Sequence, residues 1–299
     1  MPLPATLRFA GRIANRLKRE LILREPLRGL VERRHEAALA AHALRLPPLS
    51  AQRAALVGDL DTRLVVQRPV AALGVAGTEA ALASLEALCA ELGRRAPGGA
   101  HTLRVDTRGI LAHPETWRWG VDEALLDLVE NFIGLPVHYH GVDVRREVAD
   151  GIARDVRCWH VDPEDCRMVK IIVYLVHDVG ADDGPFEYLD GERTRVARQR
   201  LGYVSGFVDD AAMRAIVPAR EWRRATGPRH TAVLADTCAV FHRAAPPTGR
   251  DRYTATFSWT SRRPRKTYPS MPMSAASRAW LLKDLSARQR DCVAPRVAP

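Results

Sequence analysis

The segment Cys158-Trp159-His160-Val161-Asp162-Pro163 places an imidazole and a carboxylate two residues apart. On an extended strand, residues i and i+2 point to the same face. His160 and Asp162 would then stand side by side and lack only a third ligand. His242 supplies one, 82 residues further on, after the apolar stretch Cys238-Ala239-Val240-Phe241, which reads as a short strand ending at that histidine. Two imidazoles and one carboxylate on one face leave three adjacent positions open on an octahedral iron(II). Such a site has room for a bidentate 2-oxo acid and dioxygen together. A histidine and an aspartate at this spacing are weak on their own, since such tripeptides arise by chance. The weight comes from the joint pattern: the pair precedes an apolar strand, then come a Gly-Pro turn, the second histidine, and an arginine opening a last strand.

That arginine is Arg252. In Arg252-Tyr253-Thr254-Ala255-Thr256-Phe257-Ser258-Trp259, alternation puts Arg252, Thr254, Thr256 and Ser258 on one face and apolar or aromatic residues on the other. An arginine in a row of hydroxyls needs a partner, and a dicarboxylate provides one through a two-point guanidinium–carboxylate bond. Arg250 lies close to the same spacing, although Arg252 better suits the strand entrance. His138 and His140 share a strand face and are candidates to face a pocket. Arg145 or Arg146, on the strand preceding the site, is a candidate contact for an anionic substrate.

Strands and helices must hold these residues in place. Helical periodicity covers 5–23, with Leu7, Ile13, Leu17 and Leu21 among arginines, and continues over about 28–45, 78–94, 121–133 and 274–288. Strands are expected at Val137–Val144, Met168–Val176, Phe186–Leu189, Tyr203–Val208, Thr231–Leu234, Cys238–Phe241 and Tyr253–Trp259. Helices first and short strands later indicate an α+β chain with a double-sheet or barrel core over about 136–262.

Composition narrows the classes. The chain has 299 residues, 46% of them hydrophobic, enough for a sizeable core. No apolar run is long enough to span a bilayer, and the basic N-terminus lacks the apolar stretch of a secretory signal. Five scattered cysteines without a CxxC pair argue against a disulfide framework and a structural zinc site, and favour a cytoplasmic location. The net charge of +10 suggests a nucleic-acid partner. However, residues 1–34 carry +6 and 243–299 carry +9, which leaves −5 for the middle. Without aromatic–basic interleaving, a nucleic-acid substrate is disfavoured. The basic amphipathic 5–23 helix leaves peripheral contact with an anionic membrane as a minor option.

The sequence resembles the phytanoyl-CoA dioxygenase family of the iron(II)/2-oxoglutarate-dependent oxygenase superfamily. The resemblance runs over roughly 60–265, through Trp-His-x-Asp at 159–162, VKIIVYLVHDV at 169–179, GPFEYL at 184–189, ADTCAVFHRAAPPTG at 235–249 and RYTATFSWTSRRP at 252–264. It implies a double-stranded β-helix, or jelly-roll barrel, flanked by helices. The expected domains are an N-terminal helical extension (1–60), an oxygenase domain (61–265) and a C-terminal helical tail (266–299). The resemblance further implies iron held by His160, Asp162 and His242, and 2-oxoglutarate held by Arg252; on the strand after the His-x-Asp pair Lys170, Ile172 and Tyr174 share a face, which makes Lys170 or Tyr174 a further candidate to bond the cosubstrate. Dioxygen is then the oxidant, and ascorbate a candidate reductant in vitro. Halogenating relatives lack the carboxylate that Asp162 provides, so the implied reaction is hydroxylation or a related oxidation of a small molecule, anionic or carrier-bound groups included, with release of succinate and carbon dioxide. Where the family often has a Gly-Ser-His turn, this chain reads Leu189-Asp190-Gly191-Glu192-Arg193. Two rivals remain: a cupin-like metal enzyme that needs no 2-oxoglutarate, and a catalytically silent barrel that acts as a binding module.

Overall fold

The computed structural model describes residues 27–266, 271 and 273–294. The expected 5–23 helix lies outside them. Among the described residues, nine strands form two sheets. They are β1 (Val65–Pro69), β2 (Thr102–Arg104), β3 (Val137–Glu147), β4 (Met168–Leu175), β5 (Phe186–Tyr188), β6 (Arg223–Ala225), β7 (Thr231–Asp236), β8 (His242–Ala244) and β9 (Arg252–Ser261). The larger sheet has the order β1-β7-β4-β9-β3-β2 and the smaller β6-β5-β8. Every pairing is antiparallel. The fold is therefore α+β: a double-stranded β-helix of two facing sheets flanked by helices, as expected.

Helices back one face of the large sheet. Helix α1 spans Leu27–His42 and α2 Ala51–Arg63; the latter was not foreseen from the sequence. Ser50 caps α2, its hydroxyl accepting from the Arg53 N–H, and the helix buries only Leu56 and Leu60, a stripe too thin to announce it. Helix α3 (Thr78–Arg94) buries Ala81, Leu85, Leu88 and Leu92 at helical spacing. Helix α4 (Glu123–Ile133) starts at Asp122, which accepts from the Ala124 N–H, and ends at Gly134. Against these helices pack Val169, Ile171 and Val173 of β4 and Ala255, Phe257 and Trp259 of β9. The opposite face of the same strands looks toward the small sheet. There Phe186 and Ala225 pack on Val65, Tyr174, Val233 and Ala235.

Three expected elements differ. Tyr203–Val208 is a loop in which only Val208 pairs, with Trp159. Its alternating pattern serves packing and capping instead: the Tyr203 hydroxyl donates to the Gly206 carbonyl and accepts from the Val161 N–H. Cys238–Phe241 is a turn, because the Asp236 carboxylate accepts from the Cys238 N–H (3.1 Å) and its carbonyl from the Ala239 N–H (3.0 Å). Val240 and Phe241 are apolar because they are buried in the smaller clusters, and His242 opens a strand where it was expected to end one. The C-terminal helix is two short ones, Ala275–Leu281 and Ala287–Asp291. No helix among the described residues is long and apolar enough to cross a membrane.

Candidate metal centre

The segment carrying His160 and Asp162 is extended but joins neither sheet. It is held by an isolated antiparallel bridge in which His160 and His242 exchange both main-chain hydrogen bonds, at 3.0 and 2.9 Å. A bridge of this kind puts the two side chains on one face, and their rings lie 4.3 Å apart. The Asp162 N–H donates to the Thr237 carbonyl, fixing the carboxylate beside them. Nε2 of His160 is 3.7 Å from Asp162 Oδ1, and Nε2 of His242 is 3.8 Å from Oδ2. One ligand atom from each residue falls within 4.8 Å of the others. This is a 2-His-1-carboxylate face.

Each imidazole is already oriented. Nδ1 of His160 is 2.9 Å from the Cys158 carbonyl, and Nδ1 of His242 is 3.1 Å from that of Val240. A carbonyl only accepts, so Nδ1 carries the proton in both rings and the Nε2 lone pair is left for a metal. Burial lowers the His160 pKa and, with His160 adjacent, pushes that of His242 down to about 3. Both rings are thus neutral ligands at ordinary pH. Burial alone would raise the Asp162 pKa, but the Lys170 ammonium that bonds it outweighs burial and keeps the carboxylate ionised. Phe186 stacks on the His242 ring (5.4 Å, 21°), and Phe207 meets the His160 ring edge-on (5.3 Å).

Behind the ligands a buried ion pair braces the bridge. Arg243 follows His242 and donates through Nε to Glu187 Oε2 (2.7 Å), which is 1% exposed. Its guanidinium lies against both Trp159 (4.8 Å) and Trp222 (5.2 Å), whose rings also touch each other. Trp159, next to a ligand, is therefore a packing residue. Gly184, in the Gly-Pro turn before β5, is at φ +72°, and a Cβ there would lie 2.5 Å from the Ala245 carbonyl oxygen. The turn that delivers Phe186 thus requires glycine.

The triad opens into a cavity of about 590 Å³ on the inner face of β4, β9 and β3, within the usual size of small-molecule sites. Arg252, Thr254, Thr256 and Ser258 line it as one row, beside Lys170 and Ile172. Arg252 is 3% exposed, and its Nε has no hydrogen-bond partner among the described residues. Burial lowers its pKa, opposed by Glu147, which lies directly across on β3. Glu147 is fully buried. It accepts from Arg157 Nε (3.0 Å) and the Thr102 hydroxyl (2.9 Å). Burial would raise its pKa, yet Arg252, Arg145 and Arg157 hold it below the ordinary carboxylate range. Glu147 and Arg157 were missed in the sequence. The inward alternation of β3 was the available signal for Glu147; none marked Arg157, which lies in a 3₁₀ turn leading into His160.

The other candidates separate cleanly. Arg250 is half-exposed and paired with Asp183 (3.0 Å), away from the cavity. Lys170 donates to Asp162 Oδ2, so it acts on the metal-binding carboxylate. Tyr174 lies outside the cavity lining; its hydroxyl donates to the Ala225 carbonyl (2.6 Å) and accepts from the Phe186 N–H (3.0 Å). Arg145 lines the cavity, whereas Arg146 points back to the end of α3, bonding the Leu92, Gly93 and Arg95 carbonyls. His140 lines the cavity because β3 carries a bulge at Gly141 (φ +104°), which takes one extra residue against β9.

No family model and no curated protein matches the chain. Solved structures of similar fold include HygX from Streptomyces hygroscopicus with iron bound, at 20% identity over 72% of this chain and 88% of that one, TM-score 0.45. The carbocyclase SnoK from nogalamycin biosynthesis, described as non-heme and α-ketoglutarate dependent, is 17% identical over 77% and 90%, TM-score 0.47. EctD from S. alaskensis, with 2-oxoglutarate and 5-hydroxyectoine, is 16% identical over 72% and 77%, TM-score 0.48. At these identities and overlaps the site has to be judged on this chain's own residues.

Proposed function

We propose that the protein is an iron(II)- and 2-oxoglutarate-dependent oxygenase that hydroxylates, or otherwise oxidises, a small molecule. The observation that carries this reading is the pairing, in one cavity, of a preset His160–Asp162–His242 face with a buried guanidinium whose Nε lacks a partner. The donor set fits iron(II): two neutral imidazoles and one carboxylate, with the other ring nitrogens tied to carbonyls. Arg252 fits the distal carboxylate of a 2-oxo diacid, with Thr254 beside it as a hydroxyl donor.

Bound iron(II), 2-oxoglutarate and dioxygen together supply an oxidant able to attack an unactivated C–H bond, with succinate and carbon dioxide as co-products. The chain's own residues do the positioning. Lys170 holds one Asp162 oxygen and so orients the other toward the metal position. Phe186 and Phe207 shield the imidazole faces from water. Glu147 offsets part of the charge around Arg252 from across the strand pair. Asp162 fills the third protein position, so no halide site is provided and an oxygenated or desaturated product is expected.

The test is anaerobic titration with iron(II), followed by turnover of 2-oxoglutarate. The wild type should bind about one iron per chain and form succinate under dioxygen, and His160→Ala with His242→Ala should abolish iron binding. Undiminished iron binding in the double variant overturns the metal assignment. Iron binding without any affinity for 2-oxoglutarate points to the cupin-like alternative.

A further inference from the structure

The triad and Arg252 account for only part of the cavity. Toward β3 and β2 the lining changes. Val105, Val156 and Met271 give it an apolar wall, and Arg104, Asp143 and Arg145 a charged one. Arg145 is largely buried, its side chain 14% exposed, whereas Arg104 is 54% exposed at the mouth. One oxygen of Asp143, Oδ2, sits between them: Arg145 Nη2 donates to it, and Arg104 Nε is 3.4 Å away. Neither arginine is a metal ligand, and neither is required to hold the distal carboxylate that Arg252 serves.

Charge decides what this part of the cavity wants. Four basic side chains line it (Arg104, Arg145, Lys170 and Arg252) against two carboxylates (Asp143 and Asp162). Iron(II) and doubly ionised 2-oxoglutarate cancel one another, so loading leaves an excess of two positive charges. Buried Glu147, behind Arg145 and Arg252, is matched by buried Arg157, which donates to it at 3.0 Å, and so leaves that excess standing. Arg104 is solvated at the mouth, but the excess that remains inside is costly if uncompensated, and an anionic group on the substrate offsets it.

We infer that Arg145, assisted by Arg104, forms a subsite for an organic anion, so that the substrate carries a carboxylate or phosphate monoester and lays an apolar body against Val105, Val156 and Met271. This rests on the oxygenase reading and names its substrate class. Asp143 is then an internal competitor, an acidic side chain occupying the arginines that a substrate anion would engage. Two variants should act with opposite sign: Arg145→Met removes the anion's partner, and Asp143→Asn removes its competitor.

The experiment is calorimetric titration of protein loaded with nickel(II) and 2-oxoglutarate. The probes are aliphatic, aryl and bicyclic compounds, each as its carboxylate, phosphate monoester, amide and amine. At least one body should bind as an anion roughly tenfold or more tighter than as its amide, and whether carboxylate or phosphate prevails identifies the head group. That preference should vanish in Arg145→Met and increase in Asp143→Asn, which keeps the test decisive even if the arginine variant does not fold. No anion preference anywhere in the panel, or an Asp143→Asn protein with unchanged or weaker anion binding, overturns the subsite. Binding of 2-oxoglutarate itself is measured first in the same instrument. Its absence overturns the oxygenase reading and the subsite with it, whereas normal cosubstrate binding without anion preference overturns the subsite alone.

Discussion

The two faces of β9 are equally buried and differently made. Toward the helices stand Ala255, Phe257 and Trp259, with Trp119 4.6 Å from the Phe257 ring, Tyr139 stacked on Trp259 at 5.3 Å, and the Trp259 indole N–H donating to the Gly120 carbonyl at 3.0 Å. Toward the cavity stand Arg252, Thr254, Thr256 and Ser258. Trp259 is 0% exposed and Arg252 3%, so depth in the molecule does not distinguish them. What the unpartnered atoms adjoin does. On the outer face the Trp259 N–H is satisfied and the partnerless Tyr139 hydroxyl is enclosed by packed rings; on the inner face the partnerless N–H belongs to Arg252, which lines the cavity. Buried polar groups are ordinarily bonded. An exception on a cavity wall marks where the chain's own complementarity stops and a ligand's is needed.

This contrast can be broken first on the outer face. Phe257→Ala should cost about 3–5 kcal/mol of folding stability, since it removes a large ring from a packed cluster. Denaturant unfolding measures it, and a loss well under that figure would show that the helical layer rearranges freely. On the inner face the expected loss is of function. Arg252→Ala should weaken 2-oxoglutarate binding by about 2–5 kcal/mol while iron binding and the unfolding midpoint stay close to wild type. A large effect from Arg250→Ala and none from Arg252→Ala would reverse the assignment.

A smaller effect sharpens the same lesson at Asp236, a buried carboxylate that Arg167 influences but that makes no ion pair like those of Glu147 among the described residues. Burial pushes its pKa up to about 6 from an ordinary 3.8, against the lowering effect of the Met168 N–H. A folded-state pKa raised above the unfolded value costs stability as pH rises through that interval and no further above it. About two pH units correspond to at most about 3 kcal/mol. Asp236→Asn should therefore raise stability at pH 7, leave it little changed near pH 3, and flatten the profile between 4 and 6. An equal effect of the substitution at both pH values would mean that the carboxyl does not titrate there.

Much of the site was legible in the sequence because its elements are extended and alternation reports facing directly. His160 and Asp162 share a face, and Arg252 heads the polar row of β9, as spacing alone required. The strands β3, β4, β7 and β9 read well for the same reason. What alternation could not show was whether a short apolar stretch pairs or merely sinks. Val240 and Phe241 sink, and Asp236 turns the chain before them, so His242 begins a strand. Tyr203–Val208 alternates but spends its tyrosine hydroxyl on local main-chain groups. Lys170 shares the right face, yet the Asp162 carboxylate eight residues earlier captures it. Glu147 continues the inward alternation of β3 and was readable with it, whereas Arg157 stayed hidden because a residue in a 3₁₀ turn follows no period.

The exchange of main-chain hydrogen bonds between His160 and His242 has an evolutionary consequence. Side-chain contacts can be lost by substitution one at a time, but a bond between two peptide groups survives almost any change of residue short of proline. The spacing of the two imidazoles is thus inherited with the backbone itself. Residues around them, including Arg104, Asp143, Val156 and Met271 on the far wall, are free to diverge without disturbing it. A lineage built on this clasp can exchange one substrate for another while the reacting centre stays where it was.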